Sequence, residues 1–198
     1  DFGGECFNGC NEYLVVTKPS AVENVHRDYL EAGCDVIETN SFGGTNIVLA
    51  EYGLGEQAYD LNFRAARIAR DLALEYSRKG HPRFVAGSLG PTTKLPSLGH
   101  ISFKEMAQAY RIQAQALIEG GVDLLSVETC QDVLQIKSAL YGIFESFRDT
   151  GKRVPLVVSV TIETMGTMLL GTEMFAALTA IEPFDVDALA HAVLDVVT

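Results

Sequence analysis

Glu31-Ala-Gly-Cys-Asp-Val-Ile-Glu-Thr-Asn-Ser41 and Glu119-Gly-Gly-Val-Asp-Leu-Leu-Ser-Val-Glu-Thr129 are two versions of one phrase. Each closes a helical stretch at glycine, passes through aspartate, and runs an apolar strand into polar groups. Aligned on Gly33/Gly121 and Asp35/Asp123, the phrases set Asn40 opposite Glu128. Helix, glycine, strand and polar end, repeated in that order, spell a parallel α/β arrangement. Ligands of such folds are held at the carboxyl ends of the strands.

The same grammar extends outward. Residues 1–16 are glycine-rich and irregular, and a helix is expected from near Thr17, with Thr17 as N-cap and Pro19 in the first turn. Val22, Val25, Tyr29 and Ala32 follow at helical spacing up to Gly33. Val36-Ile37 leads the first strand, which breaks at Asn40-Ser-Phe-Gly-Gly44. Ala58, Leu61, Ala65, Ile68 and Leu72 predict a helix ended by Gly80-His-Pro82. Phe84-Val-Ala86 is a second strand, breaking into Gly87-Ser-Leu-Gly-Pro91. Ser102-Phe-Lys-Glu105 fits a capping box before the stripe Ala107, Tyr110, Ala114 and Leu117. Leu124–Val127 is a third strand, Val133–Phe147 a helix closed by Gly151, and Leu156–Val160 a fourth strand. A helix from about Glu173 to Ile181 stops before Pro183, and Asp187-Ala-Leu-Ala190 begins a fifth strand.

A closed eight-stranded parallel barrel needs roughly 250 residues, and the chain has 198. It also opens on a loop and helix. The expected fold is α/β, an incomplete parallel (β/α)8 TIM-type barrel over 1–198 with its first strand and last units missing. An open doubly wound sheet is the alternative, because periodicity does not reveal closure. Two unpaired strand edges would leave the isolated chain marginal or self-associating.

Composition narrows the function classes. A net charge of −11 argues against nucleic acid, whose phosphates call for a basic surface. No run approaches ~18 apolar residues, so no membrane partner is expected. Four cysteines are too few for a disulfide scaffold, and Cys34 and Cys130 beside strands read as buried thiols of a reducing, cytoplasmic setting.

Every strand ends in small polar residues or glycine: Glu38-Thr-Asn40, Gly87-Ser-Leu-Gly90, Glu128-Thr129 and Thr161-Ile-Glu163. The plain reading is capping of strands and helices; the functional one is a rim around a small polar ligand. Glu128 is the sharpest candidate, because a carboxylate leaving an apolar strand needs a cationic partner. No dinucleotide or phosphate-loop fingerprint is present. Cys6 and Cys10 could be half a metal site or a redox pair, but no second cluster of His or Cys completes it. His26, His81, His100 and His191 are scattered.

Several motifs together resemble one family. Asp1-Phe-Gly-Gly-Glu5, Gly9-Cys-Asn-Glu-Tyr-Leu14, the 31–40 phrase, Phe42-Gly-Gly-Thr45, Ala50-Glu-Tyr-Gly53, Val85-Ala-Gly-Ser-Leu-Gly-Pro91, Glu128-Thr129 and Thr161-Ile-x-x-x-Gly-Thr-x-Leu-x-Gly171 are similar to the homocysteine-binding module of cobalamin-dependent methionine synthases. The resemblance implies a (β/α)8 barrel that binds homocysteine and zinc. Zinc would hold the substrate sulfur as a thiolate, since a thiol of pKa about 8.5 is otherwise mostly protonated near neutral pH. It also implies methylcobalamin as donor on another module of the polypeptide, recharged on a folate-binding module. Betaine- and S-methylmethionine-dependent relatives share the barrel; the opening loop here is closer to the cobalamin-dependent type.

By the same resemblance, Glu128 matches the position that contacts the homocysteine amino group, with Thr129 beside it. Asn40, Ser41 and Ser88 match neighbouring parts of the rim. The family's zinc ligands are three cysteines, one near Val193 and an adjacent pair beyond Thr198. Residues 190–198 do not match that pattern, and Cys6, Cys10, Cys34 and Cys130 are not at zinc positions. The chain is therefore expected to hold part of the homocysteine rim and none of the zinc centre, as an inactive piece of a methyltransferase or a non-catalytic remnant.

Overall fold

The computed structural model describes residues 2–193. After two single turns at Glu5–Phe7 and Asn11–Tyr13, the elements run α1 (Leu14–Thr17), α2 (Pro19–Glu31), β1 (Val36–Glu38), α3 (Asn46–Leu49), α4 (Ala58–Tyr76), β2 (Phe84–Leu89), α5 (Phe103–Gly120), β3 (Leu124–Cys130), α6 (Val133–Thr150), β4 (Leu156–Ile162), α7 (Met174–Ile181) and β5 (Ala188–Val193). The five strands are parallel and lie in sequence order. A doubly wound sheet reverses its order at a switch point; this one steps one place in one direction throughout. Right-handed crossovers then put the helices that join successive strands on the same face. That is the arrangement of a barrel wall, here with β1 and β5 as its edges.

The wall has two distinct sides. Ile37, Val85, Leu125, Val127, Leu156, Val158 and Val160 pack with Leu72, Leu117, Ile136, Leu140 and Ile143 of the helices. Strand side chains alternate, so the opposite, concave side carries Glu38, Ser88, Ser126, Glu128, Ser159 and Thr161. The outer side is apolar; the inner side is hydroxyl and carboxylate toward the carboxyl ends of the strands, with Val36, Phe84, Ala86, Leu124 and Val157 nearer the amino ends.

The repeated Gly-x-Asp acquires a physical meaning. Gly121 takes φ 105° where α5 ends, a conformation that favours glycine, and Gly33 takes φ 103° after α2. Asp123 then accepts the amide of Val85 at 2.7 Å and pairs with Arg70. Asp187 does the same two strands later, accepting the amide of Leu156 at 2.8 Å and pairing with Arg153. That amide, and then Arg153, hold the Asp187 carboxyl below its ordinary range. Each aspartate ties the start of its own strand to the start of the preceding one and so sets the parallel register.

The beginning of the chain differs from expectation. Thr17 is not an N-cap: it closes α1, and its hydroxyl donates to the carbonyl of Tyr13 at 3.3 Å. The buried line of α2 is Val22, His26 and Leu30, whereas Val25 and Tyr29 are exposed. Periodicity found the helix but chose a neighbouring face, because a histidine occupies the middle of the buried line. The Ser102–Glu105 capping box and the α5 and α6 stripes are as expected. The fifth strand also forms, while the residues expected to depart from the family pattern after Val193 lie outside the described ones.

Helices α5 and α6 meet closely at Gly142, where a Cβ would collide with the carbonyl oxygen of Ala107 and lie 2.9 Å from the amide nitrogen of Arg111. Gly142→Ala should therefore destabilise the chain by about 1–3 kcal/mol from overpacking, despite the ~1 kcal/mol that alanine gains in a helix. A lower urea midpoint at unchanged slope is the expected reading; a higher midpoint would contradict the close packing.

Candidate functional site

The carboxyl ends of β1, β2 and β3 converge through one polar network. The Thr39 and Ser41 hydroxyls lie 2.5 Å apart, and Ser41 Oγ donates to the Ser88 carbonyl at 2.8 Å. The Ser88 amide donates back to Thr39 Oγ1 at 3.0 Å. The Ser88 hydroxyl donates to Glu128 Oε1. Thr39, Ser41 and Ser88 are buried, while Glu128 and Thr129 are partly open. The arrangement is a half-open carboxylate backed by a buried set of hydroxyls, suited to a small cationic group.

Local backbone geometry aims that carboxylate. β3 pairs regularly with β4 up to Val127 and resumes at Cys130 after a register shift. Within the irregularity Thr129 has φ 58°, the one positive φ of a non-glycine among the described residues. A β-branched residue there is strained by about 1–3 kcal/mol. Bulges re-aim side chains, and this one turns Glu128 and Thr129 onto the rim. Behind them Cys130 is fully buried, its thiol pushed up to about 12 by burial and then by the charges of Glu128 and Asp132.

Not all expected rim residues meet. Ser88 and Glu128 are joined directly. Ser41 is buried and supports the rim from beneath. Asn40, aligned with Glu128 in the sequence repeat, instead donates through Nδ2 to the carbonyl of Asn11 at 2.8 Å. It lines a separate cavity of about 380 Å³ with Asn11, Leu14, Val22, His26 and Glu38. The cleft between α5 and α6, about 410 Å³ and lined by Phe103, Arg111 and Tyr141, contains no strand-end residue.

The profile of the homocysteine S-methyltransferase family matches residues 2–193. The chain belongs to the homocysteine S-methyltransferase family. It is 46% identical over 187 residues to methionine synthase of Mycobacterium leprae and 45% identical to that of Mycobacterium tuberculosis. Each alignment covers 94% of this chain but only 15% and 16% of those proteins' lengths. Its fold is similar to that of the metallated homocysteine methyltransferase MmuM of Escherichia coli, with TM-score 0.76 and 25% identity. That similarity covers 90% of this chain and 64% of MmuM.

In this family member, one site residue escaped the sequence reading. Gln113, fully buried on α5, donates to the Ser41 carbonyl at 2.7 Å and lies 3.4 Å from the Ser88 carbonyl. Glu38, expected at the polar end of the first strand, does lie on the concave side, where it feels the charge of Glu128.

The described residues do not make a zinc centre. No three of His, Cys, Asp and Glu come together among them in a way that could hold a metal. The four thiols are all free. Cys6 is exposed, while Cys10 is buried with Val15 and Leu49, so the two sulfurs meet different surroundings. No helix among the described residues is long and apolar enough to cross a membrane.

The paired carboxylates give a pH signature. Partial burial, and then the Glu128 charge, raise Glu38 above the ordinary glutamate value. The folded state thus keeps the Glu38 proton past the pH at which the unfolded chain releases it. Stability from this group is full below the ordinary value and falls as pH rises through the folded one. Glu38→Gln should flatten that decline, seen as urea midpoints converging between about pH 4 and pH 8 relative to the parent chain. Equal pH slopes in both proteins would remove the paired-carboxylate account.

Proposed function

We propose that this chain is the homocysteine-binding part of a methionine synthase, with Glu128 receiving the ligand's ammonium group. The observation that carries this reading is the Ser88–Glu128 pair at the carboxyl ends of β2 and β3, in a member of the homocysteine S-methyltransferase family. Ser88 uses its one hydroxyl proton on Glu128 Oε1, leaving Oε2 to accept from a cation. Thr129 stands beside the ligand, while Ser41 and Thr39 keep Ser88 in place. Asn40 borders the same end of β1 and orders the Asn11 turn over it.

The chain's own contribution is binding and orientation: a fixed anion meets the ammonium, so the rest of the amino acid extends from a defined point. In the whole protein, zinc would hold the substrate sulfur as a thiolate and cobalamin would supply the methyl group. The described donors fit neither, and nothing assigned to this chain's residues depends on them. Cobalamin-carrying and folate-binding modules are proposed as partners in one polypeptide, because the methionine synthases matched are much longer than this chain. A cytoplasmic setting accords with four free thiols. A stand-alone methyltransferase of the MmuM kind is less favoured, given 25% identity against 46%.

Ligand-observed NMR titration tests this directly. L-homocysteine should bind, and Glu128→Gln should weaken it about ten- to a hundredfold, the worth of one charge-assisted hydrogen bond. The same substitution should leave 4-mercaptobutyrate, which lacks the amino group, unaffected. Homocysteine binding indifferent to Glu128, or none at all, would sink the reading.

A further inference from the structure

The strand-end network rests on a group outside the strands. Gln113 lies on α5, fully buried, with its amide nitrogen turned to two backbone carbonyls. One belongs to Ser41 in the segment after β1, the other to Ser88 near the end of β2. These are the same two segments that the Ser41 hydroxyl and the Ser88 amide stitch together. Asn62 of α4, also buried, holds the next part of the loop, donating to the Gly44 carbonyl at 2.7 Å. Gly44 sits so tightly on both amides that a Cβ would lie 2.8 Å from Gln113 Nε2 and collide with Asn62 Oδ1.

Consider what the Ser41 and Ser88 carbonyls require. The Ser41 carbonyl also accepts the Gly44 amide at 2.9 Å and the Ser88 carbonyl the Ser41 hydroxyl at 2.8 Å, so Gln113 is the second donor to each and the one that ties both to α5. A primary amide offers two N–H groups from one nitrogen, which matches two acceptors on two segments. Methionine would offer none. An ionised glutamate would turn an acceptor toward acceptors, whereas a protonated one could serve a single carbonyl. Moving the Ser88 backbone would move its hydroxyl, and that hydroxyl is the partner of Glu128.

We propose that Gln113 is a positioning residue of the ligand site: by holding the Ser41 and Ser88 carbonyls it fixes the Ser88 hydroxyl, and through it the direction of the Glu128 carboxylate. This rests on Glu128 as the ammonium contact. Gln113 touches no ligand and acts two bonds removed, through the backbone of Ser88.

The test uses the 198-residue chain with Gln113→Met, Gln113→Glu and Ser88→Ala, and two readouts. The first is the 13C resonance of the Glu128 side-chain carboxyl, assigned by its loss in Glu128→Gln. The second is affinity for homocysteine and for 4-mercaptobutyrate by NMR titration. Gln113→Met should shift the Glu128 resonance and weaken homocysteine about fivefold or more, with 4-mercaptobutyrate unchanged. Combining it with Ser88→Ala should add little to either single change, because both break the same link. Gln113→Glu keeps the helix-borne group. Relative to the parent, it should bind best at about pH 5, where burial keeps the acid neutral and one carbonyl still has its donor, and lose affinity as pH rises.

An unmoved Glu128 resonance in both Gln113 variants would overturn the inference, as would equal weakening of both ligands. If Gln113→Met fails to fold, the pH profile of Gln113→Glu decides: a profile parallel to the parent overturns the inference, and a fall toward high pH sustains it. If the parent chain binds no homocysteine, the functional reading falls and the carboxyl resonance alone decides the positioning role.

Discussion

Four buried backbone carbonyls where β1 and β2 leave the sheet each take a donor from a helix side chain. Asn62 of α4 donates to Gly44, Gln113 of α5 to Ser41 and Ser88, and the Tyr110 hydroxyl of α5 to Gly90 at 2.9 Å. Gln135 of α6 in turn donates to Tyr110 Oη at 3.2 Å. A chain turning out of a parallel sheet loses its ladder partners while still inside the protein, where an unmet acceptor is costly. Side chains of two successive helices, α4 and α5, help meet that demand, and α6 supports Tyr110 through Gln135. The loops at the carboxyl end are consequently tied to the helical layer and are parts of the scaffold.

That constraint explains how one wall of a barrel can present an ordered polar rim. The outer side is held by apolar contact between sheet and helices, and the amino ends of the strands by Asp123 and Asp187 on neighbouring amides. With both anchored, the bulge at Thr129 has a rigid frame to strain against. Glu128 is displaced toward the rim without losing Ser88. Glu38 faces the same concave space and is raised by burial and by Glu128, so a second full negative charge there is disfavoured. A cationic ligand group would relieve both carboxylates.

Much of this was legible in one sequence because it follows from local rules. α5 announced itself by a capping box and a four-residue apolar stripe, α6 by its stripe and Gly151, and β4 by β-branched residues. Ser88 and Glu128 stood out as polar groups ending apolar strands. α2 was misjudged because an apolar count cannot see that buried His26, rather than Val25, lies on the inner line. Asn40 was placed opposite Glu128 because an internal repeat aligns backbones, while the Asn11 carbonyl competes for the side chain. Gln113 had no signal: amid Arg-Ile-Gln-Ala-Gln on an amphipathic helix it reads as a solvated amide.

The sequence by itself determined the alternation of helix and strand and the polar strand ends, because each depends on a period, a cap or a turn within a few residues. Only the tertiary structure decided that the crossover helices share one face, that the inner side is polar toward the carboxyl ends of the strands, and that Ser88 rather than Asn40 meets Glu128. Those outcomes depend on the direction of each crossover and on which buried carbonyl finds which donor, between groups 25 to 72 residues apart in the chain.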